Sequence, residues 1–379
     1  MSRRRVEKEK DIIIISIMRP SRVEINLKNL EKNIKNVKEK LGNKKLLAVV
    51  KADAYGHGAV AVSSRAMAMG VDFLGVGIAE EGIELRNAGI QAPIIILAQE
   101  LKERSEEIVL FNLIPTVCSR DFLESLEREG EGHNKKVPIF AMVDTGMGRY
   151  GVTADEFIYF IKIIKNMNFV ELKGVMSHFP VADSDEEFTQ EQISKFNELM
   201  KVSSSLKIEI PIKSMANSAA FLSYENSLFD MVRLGLLLYG ISPVKNINPS
   251  EYQPVMTVKS KISFIKTIPP GHSVSYSRTF TAKKPTTVAT VPLGYADGYD
   301  RALSNKGWMV VHGKKAPVIG NVTMDTTMID VTHIQEAKIG DEVIVMNKMV
   351  SAWDIAKTIG TIPYEVVSRM GKRLPRLYV

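Results

Sequence analysis

Short apolar runs alternate with helical patterns between residues 27 and 252. Eight of the runs have the length and composition of strands that are buried on both faces. They cover residues 46–51, 73–77, 94–98, 114–118, 139–144, 172–178, 213–217 and 231–235. Helical patterns separate most of them, for example at 154–167 and 188–206. Strand–helix alternation at a spacing of about 25 residues favours an α/β fold of the (β/α)₈ barrel type over an open doubly wound sheet.

The pattern changes after Pro254. Strand-like stretches at 258–268, 286–292, 308–312, 316–323, 328–331 and 342–346 are separated by turns with Gly and Pro, and a single helical pattern follows at 351–358. This predicts a mostly β second domain of about 125 residues. We therefore divide the chain into an N-terminal extension with the first strand (1–26), a barrel (27–253) and a β domain (254–379).

Composition is that of an ordinary globular protein, with 45% hydrophobic and 25% charged residues among 379. The net charge of +7 is modest. The lysines between residues 28 and 45 share a helical pattern with an apolar stripe formed by Leu27, Leu30, Ile34, Val37 and Leu41, which puts them on a solvated face. Basic residues are not interleaved with aromatics and no reader motif occurs, so we predict no nucleic-acid binding.

Cysteine and histidine content argues against two further classes of chemistry. Cys118 is the only cysteine, which excludes an intramolecular disulfide and suits a reducing cytoplasm. The six histidines show no pairing at metal-ligand spacing, and we therefore predict no metal site.

The N-terminus has some features of a signal peptide. Three arginines at 3–5 precede an apolar stretch at 12–18. Ser16 interrupts that stretch, acidic residues dilute the basic region, and no small-residue cleavage site follows. No segment approaches the ~20 apolar residues that a membrane span needs. We predict a cytoplasmic protein with no membrane contact, and we hypothesise that Met18 is the true start.

The stretch 48–58 is the most informative for chemistry, because Lys51 follows a buried apolar run and precedes a turn with two glycines. Burying an ammonium group costs several kcal/mol or lowers its pKa. A lone strand-end lysine more often extends its amine to water. At the mouth of a barrel, however, such an amine can form a Schiff base with a carbonyl cofactor.

Six further stretches carry candidate chemistry. Four follow predicted barrel strands, at 143–149, 177–179, 215–218 and 232–235, and two lie in the β domain, at 294–298 and 321–325. Active-site residues of (β/α)₈ barrels lie at the carboxyl ends of the strands. Lys51, His178, Asn217 and Arg233 all fall at such ends.

In this order and spacing the motifs resemble the alanine racemase family of pyridoxal-phosphate enzymes. The resemblance runs from about residue 19 to residue 378, and it depends most on Lys51, Tyr276, Tyr295 and the pair Met324 and Asp325. It implies a barrel that carries pyridoxal 5'-phosphate and a β domain that completes the partner subunit's site in a head-to-tail homodimer. The implied activity is interconversion of L-alanine and D-alanine, with D-alanine supplied for peptidoglycan.

The resemblance also implies the roles of individual residues. Lys51 matches the lysine that binds the cofactor as a Schiff base and acts as the base for the D-enantiomer. Tyr276 matches the opposing base, which acts on the L-enantiomer from the other face and from the other subunit. Arg233 matches the arginine that faces the pyridine nitrogen, and it would leave the ring largely unprotonated because arginine is a poor proton donor.

The remaining implied residues fall into three groups. The predicted cofactor-binding residues are Lys51, Tyr55, His178, Asn217, Ser218, Arg233, Gly235, Leu236 and Tyr364. The substrate carboxylate would contact Arg149 and the backbone of Met324. The entryway would be lined by Asp183, Tyr295, Arg301 and Ile362, with Tyr364 beside them.

Two positions depart from the family pattern. Met142 stands where many members carry a carbamylated lysine that bonds the carboxylate-binding arginine. We therefore expect looser positioning of Arg149 and a raised KM. Asn321 replaces an arginine that is common before the Met–Asp pair, which makes the entryway less basic.

Three other functions stay open at this point: a racemase for serine or of broad specificity, a non-catalytic pyridoxal-phosphate binding protein, and a barrel decarboxylase. Binding proteins of that kind have the barrel alone, so the β domain with Tyr276 argues against them. Decarboxylases place a carboxylate against the pyridine nitrogen and a cysteine near the dimer site. Arg233 and the single, early Cys118 argue against them.

Overall fold

The computed structural model describes residues 19–244 and 251–379. The N-terminal extension up to Met18, with the hypothesis of a start there, lies outside these residues. The described chain divides into two compact units, residues 28–253 and residues 254–379 together with the segment that ends at Leu27. Within the described ranges, no helix is long and apolar enough to cross a membrane.

The first unit is an eight-stranded parallel barrel, which confirms the predicted fold class. Its strands, numbered after β1 (Arg22–Ile25), are Lys45–Val49 (β2), Phe73–Val76 (β3), Ile94–Ile96 (β4), Ile114–Val117 (β5), Val137–Met142 (β6), Val170–Met176 (β7), Lys213–Ser214 (β8) and Met231–Leu234 (β9). Neighbours from β2 to β8 pair in chain order and β9 pairs with β2. Arg233 N donates to Ala216 O at 2.9 Å, so backbone bonding continues between the ends of the sheet.

Helices separate the strands along the chain. They are Leu27–Leu41, Ala59–Ala68, Ala79–Asn87, Ser105–Leu110, Arg120–Gly132, Ala154–Lys165, Glu186–Ser205 and Ser218–Ser223. In Leu27–Leu41 the apolar stripe is buried and the lysines are exposed. This is the amphipathic arrangement that the sequence pattern predicts.

The second unit consists of three sheets. The six-stranded sheet contains Trp308–Val311 (β15), Lys314–Pro317 (β16), Glu342–Met346 (β18), Met256–Lys261 (β10), β1 and Arg376–Tyr378 (β19). The other two sheets contain Phe264–Ile268 (β11), Thr286–Val291 (β14) and Thr327–Asp330 (β17), and Ser273–Val274 (β12) with Phe280–Thr281 (β13). Strand β1 lies between β10, to which it is antiparallel, and β19, to which it is parallel.

Three details of the second unit differ from the sequence prediction. The stretch 258–268 forms two strands, β10 and β11, which belong to different sheets. The stretch 316–323 leaves strand geometry after Pro317, and at Gly320 the φ of +74° is one that glycine tolerates. A second helix, Pro363–Ser368, follows Ala352–Ile359, so the prediction of a single helix was wrong. Pro363 occupies the first turn of this second helix, where no backbone donor is needed.

Candidate active site

Polar residues collect where the barrel strands end. Lys51 lies two residues beyond β2, His178 follows β7, Asn217 follows β8, and Arg233 lies near the end of β9. The positive charge of Arg149 contributes to lowering the pKa values of Lys51, His178 and Arg233. The structure therefore brings Lys51, His178, Arg233 and Arg149 together at one end of the barrel.

The segment after Lys51 forms one turn of left-handed helix. Ala52, Asp53, Ala54 and Tyr55 have φ between 52° and 55°. This conformation costs about 1–2 kcal/mol per residue for L-amino acids, so surrounding bonds must hold it. Ala54 N donates to Val50 O at 2.8 Å, and the Asp53 carboxylate accepts from Ala59 N at 2.7 Å.

Glu81 fixes the start of this turn. One carboxylate oxygen accepts from Ala52 N at 2.6 Å and the other from Gly77 N at 2.7 Å. The carboxylate thus joins the ends of β2 and β3 and holds the backbone directly beside Lys51. The side chain of Lys51 therefore extends from a fixed backbone position at the mouth of the barrel.

Burial lowers the pKa of Lys51, the charge of Arg149 lowers it further, and Glu81 opposes both effects. A lowered pKa increases the neutral amine fraction, which is the nucleophilic form. The site thus gives this lysine a larger neutral, reactive fraction than a solvent-exposed lysine has at the same pH.

Arg233 is buried, and both of its terminal nitrogens donate hydrogen bonds. It donates to Ser214 Oγ at 2.7 Å, to Ser177 O at 2.6 Å and to Nδ1 of His178 at 3.2 Å. Burial, together with the charge of Arg149, lowers the pKa of Arg233 to about 10, so the guanidinium is still charged at neutral pH. Because a guanidinium has donors only, Nδ1 of His178 must accept, which leaves the proton of the neutral ring on Nε2.

Burial lowers the pKa of His178 to about 3, with the charges of Arg233, Arg149 and Lys51 adding to the effect. The imidazole is therefore neutral across the physiological range. A neutral histidine beside three cations avoids a further charge in the site.

We expect His178 to make the folded protein less stable as the pH falls. The pKa of His178 is about 3 when folded, against an ordinary value of about 6.5 in the unfolded chain. The unfolded chain therefore binds the extra proton first, and stability is lost as the pH falls below the unfolded value. Between about pH 7 and about pH 5 the loss due to this group is about 2 kcal/mol.

Urea unfolding of the protein and of His178→Gln at both pH values checks this. The fall in unfolding free energy between the two pH values is expected to be smaller for the variant. An equal fall in both proteins would mean that His178 does not titrate abnormally.

A second group of predicted residues surrounds Gly235. Its amide donates to Ser218 Oγ at 3.2 Å, and Asn217 caps the helix Ser218–Ser223 by accepting from Ala220 N at 3.0 Å. A Cβ at position 235 would lie 2.5 Å from the hydroxyl of Tyr55. Tyr55, Ser218 and Gly235 therefore lie close together in a narrow cradle of polar groups, with Leu236 next in the chain.

Arg149 is carried on a tight loop between β6 and the next helix. The Asp144 carboxylate accepts from the amides of residues 146, 147 and 148 at 2.8–2.9 Å. Asp144 N donates to Val152 O at 2.9 Å and closes the loop. Met142, at the end of β6, is buried and brings no charge to it. Arg149 itself is exposed, and its guanidinium lies over the ring of Tyr150 at 5.8 Å from the centroid.

The other predicted residues lie outside this group. Asp183 is exposed on the loop that follows β7. Tyr276, Tyr295, Arg301, Met324, Ile362 and Tyr364 belong to the second unit. Tyr276 is 73% exposed at the start of a short turn, and Tyr295 and Met324 are also exposed. Ala296 N donates to Met324 O at 3.1 Å, which joins the loops that carry Tyr295 and Met324.

Sequence reasoning missed one polar group in the second unit. Asp297 is 0% exposed, and its Oδ2 accepts from Arg19 at 2.7 Å and from Gly294 N at 3.0 Å. Arg373 lies 3.3 Å from the other oxygen and also pairs with Asp325. The only signal in the sequence is an acidic residue inside a glycine-rich stretch, which ordinarily marks an exposed turn.

Comparison with protein-family models gives matches to both units. The model of the alanine racemase N-terminal domain matches residues 25–243, and that of the alanine racemase C-terminal domain matches residues 255–378. Together the two models cover nearly the whole chain.

Individual proteins agree with this result. The alanine racemase of Halothermothrix orenii is 42% identical over 369 residues, 96% of this chain and 97% of that protein. The alanine racemase of Thermodesulfovibrio yellowstonii is 43% identical over 364 residues, 94% and 97%. The solved alanine racemase of Clostridium difficile 630 is 34% identical with a TM-score of 0.91 over 96% of both chains. That of Bartonella henselae, with covalently bound pyridoxal phosphate, is 27% identical with a TM-score of 0.88, covering 96% of this chain and 100% of that one.

Proposed function

Because the chain belongs to the alanine racemase family in both of its units, we propose that it interconverts L-alanine and D-alanine with pyridoxal 5'-phosphate as cofactor. The observation that carries this proposal is the amine of Lys51, held at a strand end with a lowered pKa near the Arg233–His178 pair. No feature of the site favours one of the other functions, and Arg233 stands where a decarboxylase would carry a carboxylate.

The barrel residues fit the three ends of this cofactor. Lys51 offers an amine to the aldehyde, and Arg233 offers a cation to the pyridine nitrogen. The donors around Gly235 suit a phosphate, because backbone amides and hydroxyls in a narrow cradle bind anions without a full positive charge. Absence of a side chain at Gly235 keeps that cradle open, since a Cβ would meet the Tyr55 hydroxyl.

When bound, pyridoxal phosphate withdraws electrons from the Cα–H bond of an amino acid. Lys51 then takes or returns the proton on one face of Cα and Tyr276 on the other, which is the pair of groups that racemisation requires. Arg149 and the backbone of Met324 hold the substrate carboxylate. Neutral His178 and charged Arg233 keep the local field constant across the pH range in which the bases act.

The proposal includes a homodimer in which Tyr276 acts in the partner subunit's barrel. The 73% exposure of Tyr276 in the single chain supports this. A general base must lie within hydrogen-bond reach of the proton that it takes, and a partner subunit packed over Tyr276 would provide that position. The hydrogen bond from Ala296 N to Met324 O joins the loops of Tyr295 and Met324, which supports the proposal that both loops face the partner subunit's site. The proposal also includes a location in the cytoplasm, with D-alanine supplied for peptidoglycan, and family membership and the free thiol of Cys118 support it.

Absorbance and an enantiomer assay test the function. The purified protein is expected to show an absorbance band at about 420 nm that borohydride abolishes, as a lysine-bound carbonyl cofactor does. It is expected to racemise alanine faster than serine or lysine. Absence of the band would overturn the cofactor assignment, and a band without racemisation would overturn the activity.

Gly235→Ala is expected to weaken cofactor affinity about tenfold, since the new methyl group displaces the Tyr55 hydroxyl and the loss of one hydrogen bond to a charged group costs about 1.5 kcal/mol. Titration of the cofactor-free protein with pyridoxal phosphate measures the change. Gly132→Ala is the matched control, because a Cβ there meets nothing within 4 Å. Unchanged affinity in Gly235→Ala would remove this cradle from the site.

A further inference from the structure

The turn that carries Tyr276 is strained. It spans Tyr276–Arg278, and three residues that are not glycine have positive φ: Ser275 (66°), Ser277 (59°) and Arg278 (50°). Each such residue costs about 1 kcal/mol or more and persists only when neighbouring groups hold it. The position of Tyr276 therefore depends on what surrounds this turn.

Asn321 bonds to this turn at three points, while Arg278 Nε donates to Ser273 Oγ at 2.9 Å and Asn305 Nδ2 donates to Thr279 Oγ1 at 3.0 Å. The side chain of Asn321 is buried, with 8% of the residue exposed, and Nδ2 donates to Tyr276 O at 2.9 Å. Its carbonyl accepts from Ser275 Oγ at 2.6 Å, and its side-chain oxygen accepts from Thr279 Oγ1 at 3.4 Å. One residue thus bonds to the turn before, at and after Tyr276.

The segment that presents Asn321 is itself anchored. Asn305 accepts from Gly320 N at 2.7 Å, and Ser304 Oγ accepts from Val322 N at 2.9 Å. Just before them, Ile319 packs in a small core with Val274, which precedes the strained turn. The amide of Asn321 is therefore a fixed point, whereas the phenol of Tyr276 is largely exposed and has little packing of its own.

We propose that Asn321 is a positioning residue for Tyr276: its amide fixes the backbone of the base and so sets where the phenol meets the substrate. This inference rests on the proposed function. Proton transfer requires the two heavy atoms to be within about 2.6–3.2 Å, and a displacement of about 1 Å can cost two orders of magnitude in rate. Asn321 thus acts on the backbone of Tyr276, in addition to making the entryway less basic.

Asn321→Asp in the holoenzyme tests the proposal, because it keeps the shape and removes the donor to Tyr276 O. The measurements are kcat, KM and the isotope effect of α-deuterated alanine in each direction. We expect kcat to fall about tenfold with KM changed less than about twofold, since the substrate-carboxylate contacts remain. The isotope effect is expected to rise with L-alanine, whose proton Tyr276 removes, and to fall with D-alanine, whose proton Lys51 removes.

Opposite changes in the two directions separate a positioning role from a merely structural one, which would lower the active fraction and leave both isotope effects unchanged. Asn347→Asp is the matched control in the same unit, and it is expected to change neither the kinetic constants nor the two isotope effects. If Asn321→Asp does not fold, Asn321→Ala removes the same donor and is measured in the same way.

Unchanged isotope effects in a folded variant of an active enzyme would overturn the inference alone. A wild-type holoenzyme that does not racemise alanine would overturn the proposed function and this inference with it.

Discussion

Tyr276→Phe is expected to lower kcat for alanine racemisation about 10²–10⁴-fold, the range that a general acid–base group contributes, while the cofactor stays bound. Tyr276 lies in the second unit and is 73% exposed, so removing its hydroxyl costs that unit little packing. The loss should fall on proton transfer at one face of Cα only.

Exchange of the α-hydrogen with solvent deuterium distinguishes the two faces. In Tyr276→Phe, D-alanine should still exchange, because Lys51 is intact, whereas L-alanine should not. Tyr159→Phe is the matched control, since Tyr159 is also exposed and belongs to a barrel helix away from the predicted site. Normal racemisation by Tyr276→Phe, or loss of exchange with both enantiomers, would contradict the two-base assignment.

Asp297→Ala is expected to destabilise the protein by about 3 kcal/mol, because charge-assisted hydrogen bonds are lost and an amide is left without its acceptor. The carboxylate is fully buried, accepts from Gly294 N and is paired with Arg19 and Arg373. Both arginines are partly exposed, at 26% and 45% of their side chains, so solvent compensates for part of the loss. This keeps the value below that of a completely buried ion pair.

Urea unfolding measures the difference. Asp325→Ala is the control, because its carboxylate pairs with the same Arg373 but is 60% exposed, and its midpoint is expected to change little. A midpoint for Asp297→Ala as close to wild type as that of the control would show that the buried network contributes no net stability. Asp297→Ala is also expected to raise KM for alanine. Asp297 accepts from Gly294 N in the loop whose Ala296 N donates to Met324 O, and the backbone of Met324 is proposed to hold the substrate carboxylate.

Sequence was sufficient for the barrel and for most strand-end residues. Apolar runs that recur with helices between them have few other solutions than parallel strands, and polar residues after such runs fall at one mouth. Lys51, His178, Asn217 and Arg233 were therefore predictable in place.

Backbone conformation at the site was not predictable. Ala52 and Ala54 favour right-handed helix, and bonds that include those of Glu81, Asp53 and Val50 hold them left-handed. The second helix of the β unit begins with Pro363, and no helix was predicted there from the sequence. In both places tertiary context overrides local preference.

Burial was the other missing quantity. Asn321 and Asp297 read as polar loop residues, and their partners are 45 and 278 positions away in sequence, at Tyr276 and Arg19. Hydrogen bonds over such separations leave no periodic pattern. The resemblance to the racemase family predicts which residues act, whereas the contacts explain what holds them.

The pairing of β1 has a consequence for synthesis on the ribosome. Strand β1 lies between β10 and β19, and residues 23–25 pair with residues 376–378. The barrel residues are complete once position 253 has been made, and that unit can begin to fold while translation continues, as domains generally do. The six-stranded sheet of the other unit, in contrast, cannot close around its first strand until residues 376–378 have been made.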